Sequence, residues 1–166
     1  MKKRMKGFTL VELIVVIAII GVLAAILVPS MMGYVKSSRL KTANSNAKLV
    51  YTSVSSIMTD KETQGKSVTL PSDVFACNQS TSDNEIIKAV SVALADNGSA
   101  AGKAFVGKAE INGNTDALYA HWSGDDAAAK GSKSEAVVFG QYPDACADYN
   151  TYKGGGAEFG TYKKWN

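Results

Sequence analysis

The chain has 166 residues and a formal net charge of +3, enough for one globular domain with an additional N-terminal segment. The positive balance comes from four basic residues at the start of the chain, Lys2, Lys3, Arg4 and Lys6. Without them, 14 basic side chains stand against 15 acidic ones. The remaining chain has no basic patch interleaved with aromatic residues, so its composition gives no support to nucleic-acid binding.

An apolar segment, residues 8–28, directly follows these basic residues, and Glu12 is its only charged residue. At about 1.5 Å per helical residue the segment spans roughly 31 Å, which matches the hydrocarbon thickness of a bilayer. The segment therefore predicts a transmembrane helix. Because the basic residues precede it, we expect the N-terminus in the cytoplasm and the chain after Val28 outside.

A cleaved secretory signal is the first alternative for this segment. Such a signal has about 7–15 apolar residues followed by a small-residue cleavage site. Here the apolar run is longer, and residues 29–32, Pro-Ser-Met-Met, follow it in place of small residues. A secretory signal also does not explain Gly7, which lies at the junction between the basic residues and Phe8.

The residues from Lys6 to Leu13 read KGFTLVEL, with a glycine, a phenylalanine and, five residues after the glycine, a glutamate. This sequence, placed between a basic leader and an apolar helix, resembles the processing motif of type IV prepilins and of the related type II secretion pseudopilins. The resemblance is close from Met1 to about Ser30 and looser to about Met58.

The resemblance implies a processing step and a set of partners. A membrane peptidase that is also an N-methyltransferase would cut between Gly7 and Phe8 on the cytoplasmic side and methylate the new amino group of Phe8. Residues 1–7 would be the cleaved leader. The mature chain would then polymerise with identical subunits into a helical filament, helped by an inner-membrane assembly platform and a cytoplasmic assembly ATPase.

Glu12 is an acidic residue inside an apolar segment, one helical turn after Phe8. An acidic side chain at the centre of a span costs roughly 2.5–3.5 kcal/mol, and less towards its end. One interpretation places Glu12 near the lipid head groups at a helix N-terminus, where the helix dipole favours negative charge. The resemblance implies another, in which Glu12 pairs with the free amine of a neighbouring subunit's Phe8 and sets the register during assembly.

The helix is predicted to continue beyond the membrane segment. Apolar residues recur at positions 43, 47, 50, 54 and 57, which is the spacing of one face of an amphipathic helix. We therefore expect one helix from Phe8 to about Met58, whose second part, residues 29–58, packs under a globular head. Gly21 and Pro29 interrupt this helix, and proline removes a backbone hydrogen bond, so a bend is expected there.

The globular head, residues 59–166, contains several short predicted elements. The sequence SDNE at 82–85 indicates the start of a short helix that ends near residues 97–98. Three strands are predicted, at residues 104–111, 116–122 and 135–142, with a hairpin turn at residues 112–114. Two loops are predicted, at residues 60–70 and 124–133. The fold class is α+β, a long N-terminal helix packed against a small antiparallel sheet, which is also the architecture that the pilin resemblance implies.

Cys77 and Cys146 are the two cysteines, and they do not have metal-ligand spacing. If the head lies outside the cytoplasm, a disulfide between them is the predicted state. It would close a loop of about 70 residues, worth roughly 4 kcal/mol on the chain-entropy model. Two free thiols are the alternative.

Candidate residues for catalysis or cofactor binding are sparse. His121 is the single histidine, so a two-histidine metal site cannot form, and a structural role is favoured for it. No nucleophile-elbow or phosphate-loop motif occurs. Asp125 and Asp126 lie in a predicted loop without calcium-loop spacing, and we interpret them as solvated. We therefore expect a protein that is not an enzyme and that holds no metal or cofactor.

The sequence favours the structural subunit of a type IV pilus. We expect it in the cytoplasmic membrane before assembly and in an extracellular surface filament afterwards, with adhesion, motility or DNA uptake as properties of the filament. Two alternatives stay open. A pseudopilin of a type II secretion or competence system would have the same leader. A single-span membrane protein with an external binding domain would leave Glu12 and the junction of Gly7 and Phe8 unexplained.

Overall fold

The computed structural model describes residues 8–124, 138–154 and 158–165. The chain divides into two compact units, with the boundary between Lys36 and Ser37. The first unit is helical, and the second contains a four-stranded antiparallel sheet. The predicted α+β fold class, a long N-terminal helix with a small antiparallel sheet, is confirmed.

The longest element is helix α1, Leu10–Thr63. Its first part is built from Leu, Ile, Val and Ala, and it is long and apolar enough to cross a membrane, with a mean hydropathy of 3.1 over its most apolar 18 residues. The assigned helix continues through Gly21 and Pro29 without a break. The bend expected at these two residues stays a prediction.

The C-terminal end of α1 corrects the predicted boundary near Met58 and the predicted loop at residues 60–70. Gly65 has a φ of 67°, a left-handed conformation that glycine adopts without strain. The amide of Lys66 donates to the carbonyl of Lys61 at 2.9 Å, and the amide of Gly65 donates to that of Glu62 at 3.0 Å. These two bonds form a Schellman motif, which terminates the helix five residues later than predicted.

The second part of α1 buries one face against the rest of the second unit. The residues fully or almost fully buried on this face are Leu40, Ala43, Asn46, Ala47, Val50 and Val54. Four of the five apolar positions that indicated an amphipathic helix are among them, and Ile57 is half-buried. The predicted amphipathic stripe is therefore confirmed.

The sheet has the order β1-β2-β3-β4, with every neighbouring pair antiparallel. Its strands are β1, Phe75–Ala76; β2, Lys103–Ile111; β3, Asn114–Ser123; and β4, Gly140–Tyr142. Asn112 and Gly113 connect β2 and β3, and both have positive φ, as a two-residue hairpin turn requires. The first two predicted strands and their turn are confirmed, with slightly longer strands.

The third predicted strand, residues 135–142, is confirmed in part. Gly140–Tyr142 is a strand, Val138 and Phe139 have no regular secondary structure, and residues 135–137 lie outside the described residues. Strand β1 was not predicted, because two residues are too few to show an alternating pattern. Of the predicted loop at 124–133, only Gly124 is described.

Helix α2, Glu85–Ala93, confirms the predicted short helix but ends earlier than expected. The side chain of Asn84 accepts hydrogen bonds from the amides of Ile86 at 2.9 Å and Ile87 at 3.3 Å, which fixes the start of the helix. A 3₁₀ segment, Ala95–Ala100, follows it. The last helix, α3, is Tyr149–Gly154.

The sheet and α1 approach closely at Gly140. A Cβ atom on Gly140 would lie well inside van der Waals contact with the backbone of Ala43. Asn44 adds two hydrogen bonds at this place, one from its Nδ2 to the carbonyl of Cys146 at 2.7 Å and one to its Oδ1 from the amide of Gln141 at 3.3 Å. A glycine opposite an alanine therefore sets the distance between β4 and the helix.

We expect Gly140→Ala to destabilise the head by about 3 kcal/mol, because backbone atoms of α1 occupy the space of the new methyl group and cannot rotate away. The measurement is urea unfolding of the detergent-solubilised chain followed by tryptophan fluorescence. Gly33→Ala is the matched control, since nothing lies within 4 Å of its Cβ position. Equal midpoints for both variants would contradict the close contact.

Candidate assembly segment and the head network

The N-terminal segment is the first candidate site. Gly7 lies outside the described residues, and Phe8 is the first residue described, with 84% of its side chain exposed. From Phe8 to Val35 every large apolar side chain is exposed, by 41–84%. A surface of this size and composition has to be covered by lipid or by protein.

Glu12 is held by a reciprocal pair of hydrogen bonds at the start of α1. Its Oε2 accepts from the backbone amide of Thr9 at 2.8 Å and from the Thr9 hydroxyl at 2.7 Å. The Thr9 Oγ1 accepts in return from the amide of Glu12 at 3.3 Å. This is a capping box, with Thr9 as the N-cap and Glu12 at the third helical position.

The capping box uses one of the two carboxylate oxygens of Glu12. Among the described residues none donates to its Oε1. The carboxylate therefore has a fixed orientation and a second oxygen that can accept a hydrogen bond from another molecule. The T-x-x-E pattern at residues 9–12 signals this box in the sequence, and our sequence interpretation of Glu12 did not use it.

A second surface lies on the exposed face of α1 within the second unit. We call it the hydroxyl row; its members are Ser38, Thr42, Ser45, Leu49, Thr52, Ser56, Thr59 and Thr63. They recur every three or four residues, all are exposed, and Leu49 is the only member without a hydroxyl group. Exposed helix faces are usually charged, so a neutral row of small side chains is unusual.

Three threonines of the hydroxyl row bond back to their own helix. The hydroxyls of Thr52, Thr59 and Thr63 donate to backbone carbonyls three or four residues earlier, at 2.8–3.0 Å. Their polar groups are satisfied within the helix. The row is therefore a smooth surface on which another helix can pack closely.

His121, the single histidine, is fully buried on β3 and belongs to a hydrogen-bond network. The amide of Gly160 donates to its Nδ1 at 2.9 Å, so the proton of the neutral ring is on Nε2, which faces Oε1 of Gln141 at 3.0 Å. Burial lowers the pKa of His121 to about 4, although the bond to Gln141 acts in the opposite direction. A buried neutral ring with both nitrogens bonded supports the structural role predicted for it.

Gln141 extends this network to the C-terminal segment. Its Oε1 accepts from the amide of Lys163 at 2.9 Å, and its Nε2 donates to the carbonyl of Lys163 at 2.6 Å. The hydroxyl of Tyr119 donates to the carbonyl of Gly160 at 2.7 Å. The segment 158–165 is therefore fixed to residues of β3 and β4.

The C-terminal aromatic residues seal the core where regular structure is scarce. Tyr149 and Tyr152 are buried with Leu40, Phe139 and Cys146 in a cluster separate from the main core. The ring of Phe139 packs edge-on against those of Tyr152 at 5.6 Å and Phe159 at 5.4 Å between centroids. These contacts give the aromatic side chains a packing role in this unit.

The predicted disulfide between Cys77 and Cys146 is not formed in the structure, where both cysteines are free and buried. Cys77 belongs to the main core, and Cys146 belongs to the separate aromatic cluster, so the two thiols lie in different packing environments. Burial raises the pKa of Cys77 to about 12, and it also raises that of Cys146. Both are therefore protonated, unreactive thiols that fill apolar space.

No three histidine, cysteine or acidic side chains lie together as a candidate metal site within residues 8–124, 138–154 and 158–165. Asp125 and Asp126, the incomplete calcium motif of the sequence, lie outside the described residues. The head network is thus a packing network, and the N-terminal segment is the site whose geometry points to a function.

Comparison with known proteins places the similarity in this same segment. A family profile described as "Prokaryotic N-terminal methylation motif" matches residues 2–28. The type IV major pilin protein PilA of Myxococcus xanthus is 42% identical over 59 residues, which are 36% of this chain and 27% of that protein. The resemblance to type IV pilin precursors is confirmed.

Two further relatives extend this finding. The type IV major fimbrial protein FimA of Dichelobacter nodosus is 38% identical over 66 residues, covering 40% of this chain and 42% of that protein. A fimbrial protein of Pseudomonas aeruginosa is 43% identical over 72 residues, covering 37% and 47%. The match thus spans less than half the length of these pilins and fimbrial proteins. No solved structure matches the chain significantly.

The buried His121 predicts a pH dependence of stability. Its pKa is about 4 in the folded state and about 6.5 when unfolded, so the unfolded chain binds more protons between these values. The stabilisation by the neutral ring is complete above pH 6.5. As the pH falls to 4, the free energy of unfolding decreases by about 3 kcal/mol.

Urea unfolding of the unsubstituted chain and of His121→Gln, each at pH 7 and at pH 4.5, measures the contribution of His121 to the free energy of unfolding. The variant cannot titrate at this position, so its stability should fall less over the same interval, while the carboxylates contribute equally in both chains. An identical pH dependence in the two chains would show that His121 is not the group responsible.

Proposed function

We propose that the chain is the precursor of a structural subunit of a type IV pilus. It is cut between Gly7 and Phe8, methylated on the amino group of Phe8, and polymerised through α1 into a surface filament. The observation that carries this proposal is the methylation motif, matched over residues 2–28, together with large apolar side chains that are all exposed from Phe8 to Val35. A processed N-terminus next to an exposed apolar helix is suited to assembly, because contacts with other subunits would bury this apolar surface.

The capping box supports a role for Glu12 in subunit pairing. Thr9 fixes the carboxylate and leaves Oε1 open to a donor from another chain. In an apolar environment that donor has to be a cation, because a buried carboxylate without a partner is strongly unfavourable. The amino group of a neighbouring subunit's Phe8 is created by the cleavage, and it is a cation within about one helical turn of the depth of Glu12.

The hydroxyl row supports close contact between subunits further along the helix. Small side chains, three of which bond their hydroxyls within the helix, let helix backbones approach, and Leu49 provides a single apolar contact in the middle of the row. The first part of α1 provides apolar contacts on all sides. Together the two surfaces provide a packing surface over the whole helix.

The partners follow from the resemblance. A prepilin peptidase acting as N-methyltransferase processes the chain, and an inner-membrane platform with an assembly ATPase adds it to the filament. Before assembly the chain is anchored in the cytoplasmic membrane by residues 8–28 with its N-terminus inside. The relatives are named major pilin and fimbrial proteins, which favours a pilus over a secretion pseudopilus.

The experiment that tests the proposal is mass spectrometry of protein sheared from cell surfaces. We expect a chain that begins at Phe8 and carries one additional methyl group, in an amount that makes it a main component of the sheared material. An unprocessed chain that starts at Met1, or no release by shearing, would overturn the proposal and favour a membrane-anchored domain.

Two substitutions of Glu12 separate its charge from its capping role. Glutamine can form a capping box but has no charge, whereas alanine can do neither. If Glu12 pairs with a subunit amine, both Glu12→Gln and Glu12→Ala stay in the membrane fraction and give no sheared filaments. Normal filaments from Glu12→Gln, with a defect only in Glu12→Ala, would reduce its role to capping.

The hydroxyl row gives a further prediction. Leu49→Glu places an uncompensated charge in the centre of the row, and we expect at least a tenfold loss of sheared filament with unchanged stability of the head, because Leu49 is 42% exposed. Val92→Glu on α2 is the control, since that side chain is 66% exposed outside the row. A similar effect of both substitutions on filament yield would contradict a role of the hydroxyl row in contacts between subunits.

A further inference from the structure

The charged residues in the middle of α1 are all basic. Between Glu12 and Asp60 the helix has no acidic residue, and its four charged residues are all cations, Lys36, Arg39, Lys41 and Lys48. Soluble helices usually alternate both signs on their exposed faces. Arg39 and Lys41 follow a predicted membrane span with no acidic residue near them in the helix sequence, which favours an anionic partner.

The position of these cations fits the surface of a membrane. Met31, Met32, Tyr34 and Val35 are all exposed, so the uncharged surface of α1 continues beyond residue 28 to Val35. Arg39 follows Val35 by four residues, about 6 Å along a helix, which is the thickness of a lipid head-group layer. Side chains on a helix also lean towards its N-terminus, which here is the side of the membrane.

The distribution around the helix favours a lipid surface over a protein groove. Arg39 and Lys41 are two residues apart, so they point to nearly opposite sides of α1, at about 200° from each other. Both are exposed, and neither has an acidic partner among the described residues. The two cations flank the buried Leu40, so a lipid surface can reach both of them, whereas a protein partner contacts one side of a helix.

Lys48 lies two turns beyond Lys41, about 10 Å further along the helix, and therefore outside a head-group layer of about 6 Å. Its ammonium group lies 5.7 Å from the centre of the Tyr142 ring. The basic collar is therefore defined as Arg39 and Lys41.

We propose that the basic collar binds the head groups of anionic phospholipids at the outer surface of the membrane and thereby holds the unassembled subunit at a defined depth. This inference rests on the membrane anchoring in the proposed function. It adds a partner, the anionic lipid head group, to the apolar contact between α1 and the acyl chains.

The experiment uses the full chain in phosphatidylcholine vesicles with trace amounts of spin-labelled lipid, either phosphatidylglycerol or phosphatidylcholine. The fraction of immobilised label gives the relative association of each lipid with the protein. We expect a roughly fivefold preference for phosphatidylglycerol at low salt, reduced in 1 M NaCl because the charges are screened.

Two double variants assign the preference to the collar. Arg39→Gln/Lys41→Gln should lose most of it, whereas Lys66→Gln/Lys88→Gln, which removes two cations elsewhere in the head, should keep it. The basic leader is the same in both variants and cannot cause a difference between them. Equal preferences in the two variants would overturn the proposal.

Two other outcomes would also overturn it and identify the reason. If the collar variant keeps its lipid preference but loses chemical cross-links to a second copy in phosphatidylcholine vesicles, the collar pairs with another subunit. If the chain is extracted from vesicles by alkaline carbonate, the membrane anchoring itself fails. Retention in the vesicles without lipid preference leaves the anchoring intact and refutes the collar alone.

Discussion

The exposed apolar surface of α1 is the constraint on which the rest of the structure depends. Full burial of a large aliphatic side chain contributes about 1.5–3 kcal/mol, and from Phe8 to Val35 no large apolar side chain is fully buried in the single chain. Such a helix is stable only in lipid or among other helices. The capping box at Thr9 and Glu12 belongs to the same requirement, because the first amides of a helix in an apolar environment need partners from the chain itself. The chain is therefore a component whose folding is completed by its surroundings.

The second part of α1 packs closely against the sheet of the second unit. Alanines at positions 43 and 47 and the glycine at 140 bring backbones together, and Asn44 bonds to both β4 and the chain at Cys146. Small residues thus face the sheet, while the opposite side of the helix keeps the hydroxyl row. The helix separates intramolecular packing from the surface that remains available for other chains.

Much of this architecture could be predicted, and the exceptions have physical reasons. The membrane span, the buried stripe from Ala43 to Val54 and the hairpin at Asn112 rest on strong local patterns, namely apolar length, helical periodicity and turn chemistry. The end of α1 at Thr63 was missed because a polar last turn resembles a loop, although Gly65 was a visible stop signal. The short β4 and the free thiols of Cys77 and Cys146 depend on long-range packing, which a single sequence does not reveal. In the candidate site, the processing motif was recognised from the sequence, whereas the capping box was overlooked.

The attachment of the C-terminal segment has a consequence for the order in which the head can fold. His121 Nδ1 obtains its donor from Gly160, and Gln141 bonds twice to Lys163, and both partners follow the sheet in the chain. Until this segment has been synthesised, the Nδ1 atom of His121 lacks its donor, and the ring is held on the other side by Gln141 alone. The head therefore reaches its final packing only after the segment beyond the sheet has been made.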